Sequence, residues 1–250
     1  MVKIKGFSII IILLYSFGSV AAQSLDNYVK DAQHLVNGNQ NSGGSISSLS
    51  NEDITGALHE ALQVGAKNAT GRLSAVDGFF GNSLIKINMP SDAKKAENTL
   101  RNLGFGKQVD DAILSMNRGA EDASLKALPI FVDAIKNMSI DDGLSILKGG
   151  NGAATQYLKT KTSAALTTAF RPVISASLEK VNATKYWADV FNTYNKLPTT
   201  FKKVNPDLVS YVTERALNGL FITIADEEAK IRLNPAARVS DLLQKVFGAH

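Results

Sequence analysis

Residues 205–238, NPDLVSYVTERALNGLFITIADEEAKIRLNPAAR, restrict the folds open to this chain more than any other stretch. Val209, Val212, Ala216, Leu217, Leu220, Ile224 and Ile231 recur at three- and four-residue steps, which lays an apolar stripe along one side of a helix. Leu208, Tyr211 and Phe221 widen the stripe, so the helix needs more than one neighbour. Asn205 suits the N-cap, Pro206 the first helical position, and Asn234-Pro235 stops the helix, because a residue before proline avoids helical geometry. Gly219 lies inside the helix, where glycine costs about 1 kcal/mol relative to alanine. The spacing predicts that another helix approaches closely there. Glu214, Arg215, Asp226, Glu227, Glu228, Lys230 and Arg232 read as a solvated face with Asp226–Lys230 and Glu228–Arg232 pairs. A carboxylate site on Glu214, Glu227 and Glu228 is the competing reading, but no Glu-x-x-His pair of the kind found in di-iron bundles accompanies it.

Similar helical signals run through the rest of the chain. Ser50 and Asp53 form a capping box before Ile54, Ala57, Leu58, Ala61 and Leu62, and Ser139 with Asp142 forms a second. Ser91 reads as the cap of a helix with Ala93, Ala96, Leu100 and Leu103 inward. Residues 103–106, LGFG, read as its stop. A helix over 107–125, another around Pro129, one or two over 153–181 with Pro172 as a kink, and one over 184–196 follow. Ser240 caps a short last helix. Only 85–88, with its alternating IKIN, looks extended. The expectation is an all-α domain of eight to ten helices with one short extended segment.

The domain occupies 49–250. Lys3 and Lys5, an apolar run over 7–20 and the small residues Val20-Ala21-Ala22 make residues 1–22 a signal peptide cleaved between Ala22 and Gln23. The run is short for a membrane span, and no later segment is apolar enough to be one. Residues 23–48, rich in Asn, Gly and Ser in their second half, read as a flexible linker. Export to the periplasm or beyond is therefore expected. The chain has no cysteine, so its fold does not rest on disulfides. Without Lys3 and Lys5 there are 25 basic side chains against 23 acidic ones, and no basic run interleaved with aromatics, which leaves a nucleic-acid partner without a footprint.

Chemistry-bearing motifs are sparse. There is no G-x-S-x-G, no H-E-x-x-H, no EF-hand spacing and no cysteine nucleophile, and the three histidines are scattered. His59 reads as a surface or partner-satisfied residue. The glycines of 149–152 precede a helix start that can hold an anion, without the Gly-Lys-Ser/Thr of a phosphate loop. Residues 77–82, DGFFGN, bracket two aromatics between turn dipeptides. They form either a core plug or a recognition loop. Tyr186, Trp187, Val190, Phe191 and Tyr194 read as core rather than a stacking platform.

The stretches DGFFGN (77–82), IKINMP (85–90), LGFGKQVDDAILSMNRGAE (103–121), ILKGGNGAATQYL (146–158) and YVTERALNGLFITIADEEAKIRLNPAAR (211–238) resemble, in order and spacing, the bacterial group known as domain of unknown function 4197. The resemblance implies an exported, mainly helical domain over 49–248 and supplies no activity, cofactor or catalytic residue. The residues favour a non-enzymatic envelope module that binds an apolar small molecule or a protein partner. The alternative is a carboxylate-dependent hydrolase using Asp77, Glu121 or Glu227. No cofactor or metal is expected, and the oligomeric state is open. The binding candidates, expected to converge on one depression, are Phe79, Phe80, Asn82, Asn117, Arg118, Glu121, Glu214 and Arg215.

Overall fold

The computed structural model describes residues 50–196, 203 and 207–234. The predicted signal peptide, linker and last helix at Ser240 lie outside them. The described residues are mainly α, with no strand among them. Among the described residues six helices run for ten residues or more, fewer than the eight to ten expected, with two shorter ones between them.

Helix α1 (Asn51–Ser74) starts at the predicted capping box, with the Asp53 amide donating to Ser50 Oγ at 3.0 Å and the Ser50 amide to Asp53 Oδ2 at 3.2 Å. A loop leads to a 3₁₀ turn (Ser91–Ala93) and α2 (Lys94–Leu100). Ser91 is not the cap it was expected to be. Pro90 is extended, the first turn tightens to 3₁₀, and no side chain caps it. A widened turn (Arg101–Phe105) follows, in which Gly104 takes φ 90°, and it leads into α3 (Gly106–Ser124). This turn projects Leu103 outward, 67% exposed rather than inward as expected. Helices α4 (Ala127–Lys136), α5 (Ile140–Lys148), α6 (Ala153–Glu179) and α7 (Ala183–Asn195) precede α8 (Leu208–Leu233). The Ser139–Asp142 box opens α5. Helix α6 continues unbroken through Pro172, which faces outward.

Helix α8 is the core element the sequence suggested, although it starts later. Its N-cap is Asp207, whose Oδ1 accepts the Ser210 amide at 2.8 Å, not Asn205, which lies outside the described residues. Its exit is as expected: Asn234 is extended. Val212, Ala216, Leu220 and Ile224 are buried between α1 and α6, with further contacts to α3 and α7. Phe221 meets Phe131 of α4 edge to face at 6.2 Å, a favourable aromatic geometry.

Two charges on α8 overturn the reading of a solvated face. Glu227 and Glu228 are 6% and 9% exposed, because α1 and α6 enclose the helix from both sides. Glu227 accepts from Lys230 at 2.7 Å and Asn68 at 3.2 Å and pairs with Arg72, so Lys230 serves Glu227 rather than the expected Asp226. Glu228 pairs with Arg232 at 2.9 Å as expected and also reaches α6. Its Oε1 accepts the Gly152 and Ala154 amides, and its Oε2 the Thr155 amide and hydroxyl. The helix start that the glycine loop presents is thus already filled by the chain's own carboxylate.

Candidate functional site

Helix α3 carries a polar bracket that holds the loop after α1. Asp77 sits in the left-handed region at φ 67°, which aims the next amides at α3. The Phe79 and Phe80 amides both donate to Glu121 Oε1 at 3.1 Å. Glu121 Oε2 accepts from Arg118 at 2.5 Å, and Arg118 reaches Asp77 Oδ1 at 2.8 Å. These two acceptors hold the Arg118 guanidinium more firmly protonated than usual. One turn away, the Asn117 carboxamide accepts from the Ile87 amide at 2.9 Å and donates to the Ile87 carbonyl at 2.8 Å. It stands in for the neighbouring strand that the expected extended segment lacks.

The bracket therefore joins Phe79, Phe80, Asn117, Arg118 and Glu121, five of the eight residues singled out. Phe79 is fully buried and plugs the core against Gly219. The close approach expected at that glycine comes from this ring and from Ile85, not from another helix, because the loop lies directly over α8. Phe80 is half-buried, with Lys86 Nζ 3.8 Å above its ring, a cation–π contact. Asn82 lies in the same loop but is exposed, its Oδ1 accepting the Leu84 amide at 3.1 Å. Glu214 and Arg215 are exposed on α8 and make no hydrogen bond or ion pair to the bracket. Among the candidate hydrolytic carboxylates, both Glu121 oxygens are engaged, Glu227 is neutralised by Lys230 and Arg72, and Asp77 by Arg118. His59 is half-buried with an Nε2 that finds no partner, unlike the satisfied residue expected.

An apolar cavity among the described residues lies elsewhere. A cavity of about 380 Å³ opens among α2, α3 and α7. Ala93, Ala96 and Leu100 recur at three- and four-residue steps on one face of the α2 segment, and Val109 and Ala112 do so on α3. The alanines are too short to meet across the gap, so the helices enclose space instead of packing side chain to side chain. Met89, Phe105, Val181, Ala183, Tyr186, Trp187 and Leu208 complete the apolar wall. Trp187 is 7% exposed, whereas Tyr186 is 60% exposed at the rim. The core reading holds for Trp187 and fails for Tyr186, while the side chains of Val190, Phe191 and Tyr194 lie outside those described.

Glu97, Gln108 and Asp111 are the polar lining. Glu97 is buried but accepts from Lys94 Nζ at 2.9 Å and Arg101 Nε at 3.1 Å. Burial pushes its pKa up, and these two bonds with their charges more than offset it, so the carboxyl lies below its ordinary value. Asp111 is paired with Lys107 at 2.6 Å. The wall is thus apolar with its charges internally matched, which suits a ligand without charge inside the cavity.

None of the eight candidates lines this cavity. No group of three His, Asp or Glu side chains that would hold a metal occurs among the described residues. No helix among them is long and apolar enough to cross a membrane. No curated protein and no solved structure matches the chain. A family described as protein of unknown function (DUF4197) matches residues 48–248, and the chain belongs to that family.

Proposed function

We propose that the chain is an exported, non-enzymatic binding module of the cell envelope, and that its ligand is an apolar molecule held in the cavity among α2, α3 and α7. The observation that carries this reading is the cavity itself. Its volume of about 380 Å³ falls in the range of small-molecule sites, and its wall is aliphatic and aromatic. Water is held poorly in such a space, having few polar partners, so an apolar occupant gains the full benefit of burial. A hydrolase has less support, since Asp77, Glu121 and Glu227 are each spent on structural bonds.

The test is native mass spectrometry of the chain purified in the form its own cells process it to. A stoichiometric adduct that leaves on denaturation supports the reading and gives the ligand class. A bare mass, together with no uptake of a soluble fatty acid, overturns it. Export rests on the composition of residues 1–22. A processed N-terminus at Gln23 supports it, and an intact Met1 in the purified protein counts against it.

A further inference from the structure

We infer that the mouth of this cavity is a bilayer-docking surface, where a lipid-derived acyl chain enters and leaves; the inference rests on the apolar-ligand reading of the cavity. Phe105, Val181 and Tyr186 both line the cavity and face solvent, 47%, 38% and 60% exposed, so they form its rim. Leu103, in the same turn as Phe105, is 67% exposed. A cluster of large apolar side chains in water is costly on a surface that meets nothing apolar.

The charges around the rim are unevenly used. Lys94, Arg101 and Lys107 are paired with Glu97, Asp110 and Asp111. Glu179 accepts from the Ser175 hydroxyl. Lys180 and Lys185 flank Val181 and Tyr186, are exposed, and have no hydrogen bond or ion pair among the described residues. Two free ammonium groups on flexible stems beside an exposed phenol match the interfacial zone of an anionic bilayer. There the stems lie along the acyl boundary and the heads reach phosphates. A cavity of about 380 Å³ with an aliphatic and aromatic wall suits part of one acyl chain. Such a chain crosses water slowly, and a mouth placed on the bilayer removes that step.

Trp187 is the chain's single tryptophan and lines the cavity, so its emission is a built-in reporter. The processed chain is titrated with two quenchers. Vesicles of dibromo-phosphatidylcholine with phosphatidylglycerol report docking, and soluble dibromostearate reports the cavity. The expected result is quenching by both. Lys180→Glu/Lys185→Glu lowers the apparent vesicle affinity by tenfold or more, on the order expected for two interfacial lysines, and leaves dibromostearate quenching unchanged. Ala96→Phe/Ala112→Phe does the reverse. Quenching by dibromostearate with none by vesicles overturns docking and leaves the cavity reading intact. Quenching by vesicles alone, unchanged in the cavity variant, overturns the cavity reading. Equal vesicle quenching in wild type and the double-lysine variant also overturns the docking surface.

Discussion

Gly219→Ala puts the packing of the aromatic loop to a test of sign. A Cβ at this position would stand 2.6 Å from Phe79 Cε1 and 3.2 Å from Ile85 Cβ. The Phe79 ring has no room to withdraw. It is fully buried, and its own amide is tied to Glu121. Forcing a methyl into such a site costs about 1–3 kcal/mol, and the contact distance places this case toward the upper end. Alanine returns about 1 kcal/mol through helix propensity. The net expectation is a loss of about 1–2 kcal/mol, or roughly 2–8 °C in Tm for a domain of this size. Gly71 in the last turn of α1 is the control, since a Cβ there meets nothing within 4 Å. Gly71→Ala should be neutral or stabilise by up to about 1 kcal/mol. Urea unfolding of the two variants, with Gly219→Ala also made in a Phe79→Leu background, measures both terms. Loss of stability at 219 that is relieved in the Phe79→Leu background is the expected pattern. If Gly219→Ala stabilises the protein as Gly71→Ala does, the loop does not press on α8 and the reasoning fails.

Asn117→Ala would strand the buried amide and carbonyl of Ile87, at about 1–3 kcal/mol for each group; the fall in urea midpoint, and faster exchange of the Ile87 amide, check it. Acidification is expected to destabilise the fold through Glu228. Burial raises its pKa, but bonds from Thr155, Ala154 and Arg232 outweigh that, so the folded value lies below the ordinary 4.5. Its contribution is then present above pH 4.5 and lost as pH falls through the lower folded value. Glu228→Gln should be less stable at pH 7 and show a shallower loss between pH 5 and pH 3, read by urea midpoints at each pH. Ala112→Phe fills the cavity wall, so it should abolish fatty-acid uptake in fluorescence titration while the Tm holds or rises.

Much of the fold was legible because its signals are local. Both capping boxes lie within four residues of sequence, and the α8 stripe from Val212 to Ile231 is a matter of period alone. The residues misread depend on partners far along the chain. Glu227 and Glu228 look like part of a wet face, Glu228 in an i,i+4 pair with Arg232, until α1 and α6 arrive. The bracket of Phe79, Asn117 and Glu121 was legible as a set because turn dipeptides and an Asn-Arg-x-x-Glu cluster stand out, although its role is support. The cavity was not legible, since it consists of missing volume. Ala93, Ala96 and Ala112 occupy positions that read as an inward face whether or not anything meets them.

The carboxylate of Glu228 at the start of α6 also bears on the order in which the chain folds. The residues it joins are 73 to 76 positions apart, so loop closure delays the contact until late in assembly. The two longest helices among the described residues, α6 and α8, are thereby made mutually dependent. Until α8 docks, the first turn of α6 has bare amides and frays, and once it docks the turn locks together with the Arg232 link to the Ile146 carbonyl. Native-state hydrogen exchange should show Ala154 and Thr155 opening in one cooperative unit with the α8 centre rather than with the rest of α6.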